Sequence, residues 1–123
     1  MRVLLDTQVV YIAAGIGGAE LPKKVREIIE DPETERFFSA GSIMEVAIKS
    51  VLSEAHMRQA SADLRLTIIP FDLPHAYRLF SLPWHHRDPF DRMLIATALA
   101  EKLPLVSSDR VFKRYKGLRV LWR

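Results

Sequence analysis

The stretch RVLLDTQVVYIAAG, residues 2–15, carries the decision about the fold. Arg2–Leu5 is a short apolar run of the kind that forms a buried strand. Asp6 and Thr7 stop it, and Val9–Ala14 then fits one or two helical turns closed by Gly15. Strand, acid, helix is a unit, and it recurs. RFFSAGSIME (residues 36–45) places a second short strand, Arg36–Ser39, before a helix over Ser42–Leu52. PLVSSDRVF (residues 104–112) places a third, Leu105–Val106, before a short helix over Asp109–Tyr115. Short apolar strands alternating with helices predict a parallel sheet covered on both faces.

The remaining segments fit the same scheme. Leu21–Glu30 has apolar residues at 21, 25, 28 and 29, the spacing of an amphipathic helix, and Asp31-Pro32 ends it. Glu54–Leu64 and Leu73–Leu82 read as helices. Asp88–Lys102 is the longest. Thr67–Phe71 is a strand whose proline places it at an edge or an end, and Leu118–Leu121 is a last strand. Within Ser42–Leu52, residues Ile43, Val46, Ala47 and Val51 are expected toward the core, as are Phe37, Phe38, Phe90, Leu94 and Leu99. Linkers are short, so residues 1–123 are expected to form one domain.

Composition excludes several classes of function. The chain has no cysteine, so it forms neither a disulfide framework nor a thiolate metal site. No apolar run approaches the roughly 20 residues of a membrane span, and no secretory signal opens the sequence, so a cytoplasmic location is expected. The net charge of +3 is unevenly placed: residues 1–80 carry −2 and residues 81–123 carry +5. A basic final third points weakly to a polyanion, and on charge alone solvated basic helix surface is the favoured explanation.

A parallel sheet makes a geometric demand. Residues that end strands and begin the following helices gather on one edge. Asp6, Glu45 and Asp109 are therefore expected along one rim, with Asp88 and Asp91 able to reach the same cleft from their own helix. Each also has a purely structural explanation. Ser42-x-x-Glu45 is a capping-box pattern. Asp88 caps, Pro89 suits the first helical position, and Asp91 complements the helix dipole. Asp109 suits a cap, and Asp6 a turn. Caps alone do not explain the crowding. Unit charges about 4 Å apart at an effective dielectric near 20 repel by roughly 4 kcal/mol, so crowded carboxylates protonate or bind cations. Oxygen-only ligands suit Mg²⁺ or Mn²⁺. Such ions, beside a basic flank, make a metal-dependent nuclease the expected chemistry.

Four stretches taken in order carry a resemblance: LLDTQ (4–8), SAGSIMEVAIK (39–49), HRDPFDRMLIATA (86–98) and LVSSDRVF (105–112). Together they resemble the PIN-domain family, within it the bacterial endoribonuclease toxins of VapC type. The resemblance implies a three-layer α/β/α sandwich with a parallel sheet of four to five short strands. It implies an RNA-cleaving enzyme dependent on Mg²⁺ or Mn²⁺, with an acidic quartet at Asp6, Glu45, Asp91 and Asp109. Thr7 and Ser107 match supporting hydroxyl positions, and Asp88 is a cap with an outer role toward the site. A cognate antitoxin and a toxin homodimer are implied as partners. Met44 and the stretch Tyr11–Ala14 depart from the pattern and leave the quartet intact.

Lys49, Arg87, Arg92 and Arg110 are the candidate RNA contacts, with Lys113, Arg114 and Lys116 on the same basic rim. Trp84 either packs into the core or stacks on unpaired bases. His86 is not needed as a general base. A phosphatase with an aspartate nucleophile wants a second Asp where Gln8 stands. A receiver domain wants a lysine where Ser107–Asp109 stands. A catalytically silent metal- or RNA-binding module acting through a partner remains the alternative.

Overall fold

The computed structural model describes all 123 residues. Five parallel strands form the sheet: β1 (Arg2–Leu5), β2 (Glu35–Ser39), β3 (Leu66–Ile69), β4 (Leu105–Val106) and β5 (Val120–Leu121), in the order β3-β2-β1-β4-β5. Register places Leu4 beside both Phe37 and Leu105, and Leu5 beside Val106. Strand side chains alternate between faces, and that alternation builds two cores. Val3, Leu5, Phe38 and Val106 enter one cluster, and Leu4, Phe37 and Leu105 enter the other.

Helices α1 (Thr7–Ala13), α2 (Lys23–Glu30), α3 (Ala40–Lys49) and α4 (Glu54–Asp63) supply the first cluster with Val9, Val10, Val25, Ile29, Val46 and Met57. Helix α6 (Pro89–Glu101) supplies the second with Leu94, Ile95, Ala96 and Ala98, and Leu82 joins it from the segment after α5 (Leu73–Arg78). Helices thus cover both sheet faces, giving the expected α/β/α layering. No helix is long and apolar enough to cross a membrane.

β3 lies at the sheet edge and Pro70 follows it directly, as the proline predicts. The helix expected over Leu73–Leu82 is α5 followed by a 3-10 turn, Leu79–Ser81, and the short helix near Asp109 is a 3-10 turn, Arg110–Arg114. The last strand is half its expected length, because its only neighbour, β4, offers two residues to pair with, Leu105 to Val120 and Val106 to Leu121.

Three expectations need correction. α3 begins at Ala40, not after Ser42. Its cap is Ser39, whose Oγ accepts the Gly41 N–H at 3.0 Å, so Ser42-x-x-Glu45 is no capping box and Glu45 sits in the second turn. α3 also ends at Lys49, with Ser50 in the left-handed region, so Val51 lies beyond it, and both Ala47 and Val51 are exposed and not core. Trp84 is not core either; it is 75% exposed.

Candidate functional site

The strand order reverses at β1, so a crevice opens at the carboxyl ends of β1 and β4. Asp6 directly follows β1, and Asp109 follows β4 after Ser107 and Ser108. Ser107 ties the two together. Its Oγ donates to Asp6 Oδ2 at 2.6 Å and accepts the Asp109 backbone N–H at 3.1 Å. One hydroxyl thereby orients two acids from opposite ends of the sequence.

Glu45 reaches the crevice from α3. Thr7 Oγ1 donates to its Oε1 at 2.7 Å, and Lys49 Nζ stands 2.8 Å from its Oε2, one helical turn on. Asp91 comes from the first turn of α6, whose cap Asp88 accepts the Phe90 N–H at 2.8 Å. α3 and α6 approach closely here. A Cβ on Gly41 would meet the terminal methyl of Met93 at 2.8 Å and Ser39 Oγ at 3.3 Å, so the two helices pack against each other at this glycine. Lys49 bridges the same helices, with Asp88 Oδ2 at 3.9 Å.

The acids feel one another. Burial pushes the Asp6 carboxyl up; the Ser107 and Thr7 hydrogen bonds counter this, and the charges of Glu45 and Asp109 add to it. Burial, then the charge of Asp88, raise Asp91 to about 6, with Asp6 and Glu45 contributing and His86 opposing. Lys49 responds as their counter-ion. The Glu45 bond chiefly raises its pKa, and Asp88 and Asp91 add to that. The structure therefore brings Asp6, Glu45, Asp91 and Asp109 into one electrostatic neighbourhood, with Asp88 beside them.

The donor set is all oxygen, which suits Mg²⁺ or Mn²⁺. The side chains do not form a ready-built cage: no three His, Asp or Glu groups cluster as metal ligands. Mg²⁺ asks less than a cage, since it keeps several waters and takes one or two carboxylates. On donor chemistry the residues fit.

Asp109 has partners that the sequence does not announce. Its Oδ1 accepts the Val111 N–H at 2.9 Å, and its Oδ2 lies 2.9 Å from His86 Nε2. His86 is 8% exposed, stacked on Phe112 and bonded through Nδ1 to the Tyr115 hydroxyl at 2.9 Å. No spacing rule links residues 86, 109 and 115, so only the fold reveals them. Tyr11, one turn after Thr7, is a second such residue. Its buried hydroxyl has no hydrogen-bond partner and lies within the field of Glu45 and Lys49.

Arg92, expected at the RNA-facing rim, is corrected. It is 6% exposed, and its guanidinium donates to the carbonyls of Pro83, His86, Leu79 and Leu82 and stacks under Trp84 at 3.7 Å. That stacking explains the exposed indole: Trp84 covers a buried cation from outside. Arg87, Arg110, Lys113, Arg114 and Lys116 are exposed, and Lys49 is half exposed inside the acidic crevice.

A search of curated proteins finds no match. Solved structures match closely in shape. One chain of the VapBC2 complex from Rickettsia felis, bound to a DNA fragment from their promoter, aligns with a TM-score of 0.74 at 20% identity, covering 100% of both chains. One chain of DNA-bound VapBC from Salmonella typhimurium gives 0.71 at 20%, covering 98% of this chain and 97% of that one. One chain of VapBC-5 from Mycobacterium tuberculosis gives 0.64 at 17%, covering 99% and 98%. At such identities the likeness is one of fold. The PIN domain family model matches residues 3–118, a span that takes in all four acids, and the chain accordingly belongs to the PIN-domain family.

Proposed function

We propose that this chain is a VapC-type toxin, an endoribonuclease that hydrolyses RNA phosphodiester bonds with Mg²⁺ or Mn²⁺ held by Asp6, Glu45, Asp91 and Asp109. One observation carries the reading. Glu45 and Asp109 raise the proton affinity of Asp6, and Asp6 and Glu45 raise that of Asp91, so acids from the β1 and β4 ends, α3 and α6 share one electrostatic neighbourhood. A divalent ion there supplies Lewis-acid stabilisation of phosphate charge and a nucleophilic water at neutral pH.

The chain's own residues prepare that chemistry. Ser107 holds Asp6, while Thr7 and Lys49 hold the two oxygens of Glu45. Asp91, raised to about 6, would be available as an ionised ligand at neutral pH, and Asp88 stands behind it as the helix cap. Lys49, Arg87 and Arg110 are the cations that this reading assigns to RNA phosphates, and Arg92 instead holds carbonyls of the loop before α6.

Toxin–antitoxin complexes supply the similar folds, which supports a cognate antitoxin as partner. Leu73, Tyr77, Phe80 and Trp84 expose more than half their surface around α5, which supports self-association into a homodimer. A second reading, a silent PIN module acting through its partner, draws support from Lys49, which already neutralises Glu45.

An RNA-cleavage assay with Mg²⁺ or Mn²⁺ separates the two. The nuclease reading expects cutting by the wild type, arrest by EDTA, and at least a hundredfold loss in Asp6→Ala and Asp91→Asn. Equal background from all three proteins sinks it. RNA binding by the wild type without any cutting supports the silent module.

A further inference from the structure

We propose that His86 is a positioning residue of the acidic crevice. Its Nε2–H, locked by Tyr115, aims the Asp109 carboxylate at the place where a cation would sit. The inference rests on the metal-dependent reading given above and adds to it a residue outside the acidic set.

Hydrogen-bond chemistry fixes the proton. An ionised carboxylate only accepts, so the 2.9 Å contact with Asp109 Oδ2 requires the proton on His86 Nε2. In the neutral ring Nδ1 is then an acceptor, and the Tyr115 hydroxyl donates to it at 2.9 Å. The same hydroxyl oxygen accepts the His86 backbone N–H at 2.9 Å. Each atom has one role and none is left over. Burial keeps the Tyr115 hydroxyl protonated, which suits a donor.

The ring is fixed from every side. Phe112 stacks on it with centroids 4.5 Å apart, and Tyr115 lies 5.5 Å away at a shallow angle. Its backbone carbonyl is held by the Arg92 guanidinium at 3.3 Å. A role in holding the loop needs only the backbone bonds. The Nε2 contact does something further. Asp109 Oδ1 already caps the Val111 N–H, which fixes the 3-10 turn. A second bond to Oδ2 leaves that turn unchanged but stops rotation of the carboxylate, and each oxygen keeps a free lone-pair direction. Partners of this kind typically change metal affinity by about 10–100-fold when removed.

Three variants test it. His86→Phe keeps a ring over Phe112 and removes both nitrogens. His86→Gln carries an N–H at similar reach. Tyr115→Phe removes only the hydroxyl that anchors Nδ1. Mn²⁺ affinity is read by calorimetry, folding by thermal melting, the ring tautomer by ¹⁵N NMR, and the Asp109 carboxylate by metal-free crystal structures. The expected result is a cooperatively folded His86→Phe protein that binds Mn²⁺ about 10–100-fold more weakly, with its Asp109 carboxylate turned. Gln restores most of the affinity. Wild-type NMR shows one tautomer, protonated at Nε2, and Tyr115→Phe keeps that tautomer but, with Nδ1 unanchored, binds Mn²⁺ more weakly.

Wild-type Mn²⁺ affinity in His86→Phe, with Asp109 unmoved, overturns the inference. Should His86→Phe fail to fold, Tyr115→Phe decides by the same Mn²⁺ titration, and undiminished affinity overturns it. A wild type that binds no Mn²⁺ sinks the metal reading alone. The metal-free structures then decide the present inference, which an unmoved carboxylate overturns and a turned one supports.

Discussion

Asp91 shows how one carboxylate couples stability to chemistry. Its pKa rises from 3.8 to about 6, so the fold binds this proton more tightly than the open chain does. Stability of the metal-free protein therefore falls as pH rises between about 3.8 and about 6. Cation binding needs the carboxylate ionised and so strengthens over the same window. Asp91→Asn should stabilise metal-free protein at pH 7 by roughly 1 kcal/mol after discounting for a half-exposed site, seen as a higher melting temperature, while abolishing cleavage. A variant that is both less stable and inactive speaks against this origin of the shift. Two arginines make the complementary case. Arg92→Lys should lose about 2–3 kcal/mol of stability, since its carbonyl bonds are buried, and leave the salt dependence of RNA binding unchanged. Arg110→Ala should keep its stability and flatten that salt dependence by about 0.7 in log–log slope, one phosphate's worth for a single strand. The sequence does not distinguish the two. Charge counts say how basic the final third is, and only packing shows that the Arg92 guanidinium points inward onto carbonyls.

Elements were more legible than their ends. β1, β4 and α6 stand out because apolar runs and caps coincide there, and the three strand-to-helix junctions follow from them. α3 was misjudged at its start because Ser39 and Ser42 both suit a cap. The true cap is the last residue of a strand, where alternation says nothing about hydroxyls. That error left Glu45 in the crevice, since moving a helix start by one turn keeps the same face forward. Asp88 offers a test at this scale, because it caps α6 through a hydrogen bond and raises Asp91 through its charge. Asp88→Asn keeps a competent cap. It should hold the stability within about 0.5 kcal/mol of wild type while moving the acidic limb of activity to lower pH. Asp88→Ala should move the same limb and also lose about 1 kcal/mol. An unmoved pH profile in both variants would mean that Asp88 acts as a cap alone.

For the whole molecule, the crevice makes stability depend on cations. At a concentration a hundred times Kd, a bound ion adds about 2.7 kcal/mol, several degrees of melting temperature for a chain of this size. Mn²⁺ should raise the wild-type midpoint, EDTA should reverse the rise, and Asp91→Asn should show neither effect. An equal rise in both proteins would place the ion elsewhere. The sheet order has one more consequence. Asp6 lies next to the fourth strand, and its hydroxyl partner and the last acid stand at residues 107 and 109. During synthesis, the first three strands can pair long before those residues leave the ribosome. A nascent chain therefore stays chemically incomplete until most of it has been translated: a product ending after the third strand carries only Asp6 and Glu45, and one ending between residues 91 and 108 carries three acids without the fourth.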